Sequence, residues 1–149
     1  MCSSDLELSK IKNVIGVKDT DEMEHTSKLI DMFKDDESFG VINGSEHIIM
    51  GALACGGDGT MGIVHNLVPK QMVEIYDAMQ ANDVKKAMEI NKRLVPLYNL
   101  MEEEPYPGPV KAALEIMGLP GGKPRKPIVP ATEGMKQRLK EGLKAAGII

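Results

Sequence analysis

Aromatic residues are nearly missing from this chain, and tryptophan is absent altogether. Three tyrosines and two phenylalanines make up 3% of the 149 residues, so a core built mainly on stacked rings is excluded. Eleven methionines are present, and their flexible side chains suit the filling of irregular gaps in an aliphatic core. With 42% hydrophobic and 27% charged residues, the chain is long enough for one ordinary folded domain or two small ones.

Cysteine and long apolar runs are also scarce. The two cysteines, Cys2 and Cys55, form no Cys-x-x-Cys pair and predict no disulfide framework. The longest apolar run, residues 48–55, is too short to cross a bilayer. The opening residues MCSSDLELSK turn polar too early for a signal peptide. The sequence therefore predicts a cytoplasmic protein with no membrane partner.

The sequence offers no clear site for a nucleic acid, a metal or a nucleotide. The formal net charge is −4, and the one basic cluster, residues 121–127, is broken up by glycine and proline, so no nucleic-acid partner is expected. The histidines fall on separate predicted elements without a further ligand at metal-site spacing: His25, His47 and His65. Residues 57–62 contain G-x-G-x-x-G, but a helix precedes it and a strand follows, the reverse of a dinucleotide site. No metal and no cofactor are expected.

Strands and helices are predicted to alternate through the first half of the chain. Short runs rich in β-branched residues predict strands at 13–18, 39–44 and 59–66. Apolar residues at helical spacing predict helices at 5–12, 19–36, 45–57 and 69–83. Such alternation with short connections is typical of βαβ units, so the fold class is α/β with a parallel sheet.

The second half of the chain is predicted to be helical. Residues 83–103, 109–117 and 132–146 repeat apolar residues at helical spacing, and Pro96 should kink the first of these helices. The change in composition predicts two domains, 1–82 with the sheet and 83–149 with helices alone.

A lysine ends the first predicted strand. In NVIGVKDT, residues 13–20, strand alternation places on one face Val14, Gly16 and Lys18. Lys18 is either a solvated strand end, since lysine is rarely buried, or an amine held in a pocket that lowers its pKa and makes it a nucleophile. The second alternative gains weight because ligands of parallel α/β proteins bind at the carboxyl ends of strands.

Segments in chain order resemble one family. They are NVIGVKDT at 13–20, INGSE at 42–46, GGDGTMGIVHN at 56–66, PGPVKAALEIMGL at 107–119 and VPATEGMKQRLKEGLKAAGII at 129–149. Together they resemble the C-terminal half of the dihydrodipicolinate synthase and N-acetylneuraminate lyase family, class I pyruvate aldolases on a (β/α)8 barrel. The resemblance covers about residues 5–149.

The resemblance implies a partial TIM barrel, with strands like the sixth to eighth followed by a C-terminal helical segment. It implies that Lys18 forms a Schiff base with pyruvate and that the backbone carbonyl of Met61 faces the bound keto acid. Gly44, Ser45 and Glu46 would meet the second substrate, an aldehyde or keto acid, in a lyase reaction of lysine biosynthesis. Sialic-acid lyases have Gly-Ser-Thr on the eighth strand, where this chain has Gly-Ile-Val at 62–64, so neuraminate is not the expected substrate.

The length departs from that family. A complete barrel takes about 250 residues, and the first five strands have no counterpart here. The implied enzyme is therefore expected to be inactive alone and to form a homo-oligomer or pair with a complementary half-barrel chain. Two alternatives stay open: a non-catalytic truncated member acting as a binding or assembly subunit, and a small α/β protein with only architectural likeness.

Overall fold

The computed structural model describes residues 3–149, and its side chains from residue 4 onward, so Cys2 lies outside the described residues. The chain divides into two compact units, Met1–Gly62 and Ile63–Ile149. The predicted domains, 1–82 and 83–149, follow a different criterion, the change from mixed elements to helices alone. That domain boundary stays a prediction.

The first unit alternates helices and strands. Its elements in chain order are α1 (Ser3–Ser9), β1 (Gly16–Asp19), α2 (Met23–Phe33), β2 (Gly40–Asn43), a 3₁₀ turn (Glu46–Ile48), α3 (Ile49–Ala54) and β3 (Gly59–Thr60). The strands form one parallel sheet in the order β1-β2-β3, which confirms the predicted sheet type. Gly16 pairs with Gly40 at one end of the β1–β2 ladder and Asp19 with Asn43 at the other.

The third strand is shorter than predicted. It ends at Thr60, and Val64–Asn66 form a 3₁₀ turn, so the predicted strand over 59–66 is wrong beyond its first two residues. Leu67 N donates to Val64 O at 2.8 Å, a local bond in place of a ladder bond. Val64 is nevertheless 1% exposed. A short apolar run cannot be assigned to a strand or to a buried turn from periodicity alone.

Helix α2 covers one face of the sheet. Its apolar stripe packs with residues on and before β2 in one cluster: Leu29, Ile30, Phe33, Phe39 and Val41. Val14 and Val17 pack against this cluster from the β1 segment. The prediction that Val14, Gly16 and Lys18 share one face is therefore wrong for Val14, because the strand begins only at Gly16. Regular alternation, which puts Gly16 and Lys18 on the face away from α2, starts there.

The second unit is helical. After the 3₁₀ turn it contains α4 (Pro69–Gln80), α5 (Val84–Glu102), α6 (Gly108–Ile116) and α7 (Glu133–Ala145). These positions match the predicted helices within a few residues, and α5 continues through Pro96. The core comes from one side of each helix, with fully buried Ile75, Leu94, Leu97, Tyr98, Met135, Leu139 and Leu143.

The end of α5 is tied to the start of α7. Thr132 caps α7 by accepting from Met135 N at 3.1 Å. Its hydroxyl and its backbone N–H donate to the two carboxylate oxygens of Glu104, at 2.5 and 3.0 Å. Arg138 of α7 pairs with Glu103. The acidic residues after α5 therefore hold a helix in place.

Candidate functional site

Lys18 lies on β1, opposite Ile42 in the parallel register and one residue before the strand ends. Its side chain is exposed, which agrees with the solvated alternative as far as the described residues go. Its stem lies against Gly44, where an added Cβ would stand 2.8 Å from Lys18 Cε. Of the candidate residues, Lys18 and Gly44 are thus in contact.

Gly44 is buried, follows β2 and is hydrogen-bonded to the end of β1. Its N–H donates to Asp19 O at 2.6 Å. An added Cβ would also lie 2.8 Å from Thr20 Oγ1 and 2.9 Å from Asp19 O. Because Asp19 O is a backbone atom fixed by the end of β1 and cannot move aside, glycine is the residue that fits between the Lys18 stem and the neighbouring backbone.

Glu46 begins the 3₁₀ turn after β2 and is 8% exposed. Its carboxylate contacts Gly62, so closely that a Cβ on this glycine would overlap it. A carboxylate of the loop after β2 therefore lies against the chain that follows β3. Residues 62–64, compared above with an eighth strand, are not strand residues, so a sugar-binding argument based on strand positions does not apply to them.

Met61 follows β3 directly, and its side chain is 55% exposed. Its N–H donates to Asn43 O at 2.8 Å, so its backbone is fixed to the end of β2. The structure thus brings the segment after each strand to the same edge of the sheet, the edge at which parallel α/β proteins bind ligands. The substrate roles of Gly44, Ser45, Glu46 and Met61 stay predictions.

Asp19 is a buried carboxylate that sequence reasoning missed. It is 7% exposed and accepts from Thr26 Oγ1 at 2.5 Å, with His25 Nδ1 at 3.1 Å from its other oxygen. Asp21 N donates to it at 3.3 Å. Asp19 therefore fixes the first turns of α2 to the end of β1. The predicted helix over 19–36 includes Asp19, whereas Asp19 is the last residue of β1. An acid at a strand end followed by a helical threonine is a signal that could have found this contact.

Asn43 is a second buried polar residue that was not singled out. It is 1% exposed, and its amide bonds to the backbone of Ser45. Among residues 3–149, no group of three histidine, cysteine or acidic side chains could hold a metal ion. In the same range, no helix combines the length and apolar character needed to cross a membrane.

These features are those of an α/β protein with a parallel sheet. The lysine and the glycine-containing loops lie at the carboxyl ends of the strands, where such proteins bind ligands. The sequence matches the model of the Dihydrodipicolinate synthetase family over residues 5–146, and the chain belongs to this family. It is 37% identical over 138 residues to the 4-hydroxy-tetrahydrodipicolinate synthase of Methanospirillum hungatei, covering 92% of this chain and 47% of that relative. With the Archaeoglobus fulgidus synthase it shares 34% over 143 residues, covering 95% and 49%.

Solved structures of dihydrodipicolinate synthases also match nearly all of this chain and about half of their own length. The dihydrodipicolinate synthase of Thermotoga maritima superimposes with a TM-score of 0.88 at 32% identity, covering 95% of this chain and 48% of that one. The Acinetobacter baumannii enzyme, solved in complex with pyruvate, gives 0.87 at 32% identity, covering 97% and 49%. The chain spans about half the length of the curated relatives that it matches.

Proposed function

We propose that this chain provides strands like the sixth to eighth, and the C-terminal helices, of a (β/α)8 barrel in which Lys18 forms a Schiff base with pyruvate. The contact between the Lys18 stem and Gly44, at the carboxyl edge of a parallel sheet, carries this proposal. The pyruvate complex of the Acinetobacter baumannii relative supports the substrate class.

In the proposed reaction, the neutral amine of Lys18 attacks the ketone carbon of pyruvate and water leaves, which forms an imine. Loss of a proton from the methyl group gives an enamine, whose carbon attacks the carbonyl of an aldehyde or keto acid. Water then releases the product and restores the lysine. Covalent catalysis of this kind splits one difficult carbon–carbon step into easier ones. No separate cofactor is needed, because the lysine itself carries the substrate.

The other residues have proposed positions in this scheme. The backbone of Met61 would face the bound keto acid, and Gly44 to Glu46 would meet the second substrate. The buried carboxylate of Glu46, held beside Gly62, would offer a hydrogen-bond acceptor to a polar second substrate.

A complementary partner is part of the proposal. The sheet face that bears Lys18 lines an open cavity of about 480 Å³ with Gly16, Gly40 and Ile42. Both outer strands of the described sheet, β1 and β3, have an unpaired edge, and such edges accept further strands. We infer that a complementary half-barrel covers this face in the cytoplasm, and that the chain is inactive without it. A purely binding or assembly role is the alternative, and the unpaired outer strands support it, because they accept a partner whether or not Lys18 reacts.

Deuterium exchange into the methyl group of pyruvate tests the proposal without knowledge of the aldehyde. The chain is mixed in D₂O with the portion of the Methanospirillum hungatei relative that it does not match, and the exchange is followed by NMR. We expect exchange in the mixture, background exchange in either piece alone, and background exchange when Lys18→Arg replaces the native chain. The Lys28→Arg variant, with an exposed lysine on α2, is the matched control and should behave as the native chain.

Exchange that survives Lys18→Arg would contradict the assignment of the amine. Background exchange in a mixture whose two pieces associate in sedimentation would favour the assembly role instead.

A further inference from the structure

Asn43 is the last residue of β2 and is 1% exposed, which is unusual for an amide side chain. Its Oδ1 accepts from Ser45 N at 3.1 Å, and its Nδ2 donates to Ser45 O at 2.7 Å. One side chain therefore satisfies both backbone groups of the residue two positions later. This pair of bonds closes the loop around Gly44.

The backbone of Asn43 reaches the neighbouring strands. Its carbonyl oxygen accepts from Met61 N at 2.8 Å, just after β3. In the register it lies between Asp19 of β1 and Thr60 of β3. Gly44, the next residue, donates to Asp19 O at 2.6 Å. A single buried residue thus connects the ends of all three described strands.

We propose that Asn43 is a positioning residue for the lysine site: its side chain holds the Gly44–Ser45 loop so that Gly44 lies against the Lys18 stem, and its backbone carbonyl fixes the backbone of Met61. The proposal rests on the proposed function of Lys18, but its structural part can be tested separately. Asn43 acts through the residues it holds. Gly44 contacts the Lys18 stem, Ser45 exchanges two hydrogen bonds with the Asn43 amide, and Met61 N donates to the Asn43 carbonyl oxygen.

An Asn43→Asp substitution removes one element of this arrangement while keeping its shape. The ionised carboxylate can still accept from Ser45 N, but it has no hydrogen to donate to Ser45 O. That oxygen then keeps only the long bond from Ile48 N at 3.4 Å, and two acceptors face each other in a partly buried place. Removing the shorter of the two donors to Ser45 O and placing a carboxylate against it costs more than a surface hydrogen bond contributes. The loop from Gly44 to Ser45 should open locally.

Asn66→Asp is the matched control. Asn66 is exposed, and its Nδ2 donates to Ile63 O at 2.9 Å, so the same chemical change removes the same kind of bond in the second unit.

The first experiment measures amide hydrogen exchange in the native chain and both variants. In Asn43→Asp we expect the Ser45 and Met61 amides to exchange about tenfold faster, while the Leu29 amide in α2 changes less than about twofold. Asn66→Asp should leave all three rates as in the native chain. Unchanged Ser45 and Met61 rates would overturn the proposal, and so would an equal rise at Leu29, which would indicate general destabilisation.

The second experiment measures borohydride trapping of pyruvate on Lys18 in the mixture with the unmatched portion of the relative. At saturating pyruvate, Asn43→Asp should trap about fivefold more slowly than the native chain, and Asn66→Asp at the native rate. An unchanged rate at a locally opened loop would overturn the positioning role. If the native mixture forms no Lys18 adduct at all, the proposed function fails, whereas the exchange experiment still decides whether Asn43 holds the loop.

Discussion

The Lys18 stem and the α-carbon of Gly44 are in contact: a Cβ built on Gly44 stands 2.8 Å from Lys18 Cε, closer than real Cβ atoms approach other heavy atoms. Lys18 lies on β1, and Gly44 follows directly after β2, the neighbouring parallel strand. The lysine side chain thus occupies space that is open only because Gly44, in the loop after β2, has no side chain.

Gly44→Ala tests this contact. The new methyl would also meet Thr20 Oγ1 and the fixed carbonyl of Asp19, so the loop must move. We expect a loss of about 1–3 kcal/mol in the free energy of unfolding, as for overpacked sites, and slower pyruvate trapping on Lys18. Chemical denaturation measures the first effect. Gly59→Ala is the control, because an added Cβ there meets no atom within 4 Å; equal effects of both variants would contradict the account.

Thr26→Val tests the contact between α2 and the end of β1. The hydroxyl of Thr26 is completely buried and donates to Asp19, so the isosteric valine leaves a buried carboxylate short of one donor. We expect a loss of about 1–3 kcal/mol in the free energy of unfolding. Ser27→Ala removes an exposed hydroxyl bonded to Glu24 O on the same helix and should cost far less. Comparable losses for Thr26→Val and Ser27→Ala would show that the hydrogen bond to Asp19 stabilises the fold no more than an exposed one.

Thr132→Ala tests the junction in the second unit. The threonine caps α7 and binds the Glu104 carboxylate, so the substitution removes the cap and one side-chain bond. Loss of an N-cap residue costs about 1 kcal/mol, and Thr132→Ser, which keeps the hydroxyl, should lose much less. Thermal or denaturant unfolding measures both variants. A serine variant as unstable as the alanine variant would show that the hydroxyl bonds are not the cause.

Ile15→Asp tests self-association of the isolated chain. Ile15 is 76% exposed, directly before β1, in a segment where Leu6, Leu8 and Ile11 are also exposed. Large exposed apolar patches promote association, so sedimentation of the native chain should show concentration-dependent oligomers. Ile15→Asp should weaken them. Val73→Asp, at a position 58% exposed in α4, should not. A monomeric native chain at all concentrations would contradict this expectation.

The sequence was sufficient for the elements with a long or regular pattern. The helices with apolar stripes, such as α5 and α7, and the parallel sheet follow from periodicity. The lysine at the end of β1 could be found because its strand is bounded by polar residues. The family also followed from motifs in order, and the match over residues 5–146 confirms it.

Tertiary contacts account for what could not be predicted. The third strand ends at Thr60 because Val64 is buried in a turn instead of a ladder, and periodicity cannot separate these outcomes. Asp19 and Asn43 look like ordinary polar residues at strand ends. Their roles depend on the strand register, which places Asp19 opposite Asn43. Thr26 of α2 then donates to Asp19, and Asn43 donates to Ser45 O.

Borohydride trapping followed by peptide mass mapping tests the central claim most directly. Native chain, mixed with the unmatched portion of the Methanospirillum hungatei relative and pyruvate, should carry the reduced adduct on Lys18. Lys34 is the internal control, because it is an exposed lysine whose pKa is raised by its hydrogen bond to Asp31, which disfavours the neutral amine. An adduct on Lys18 alone, lost in Lys18→Arg, is the predicted result. An adduct spread over Lys34 and other surface lysines, or none in an associated mixture, would contradict the account.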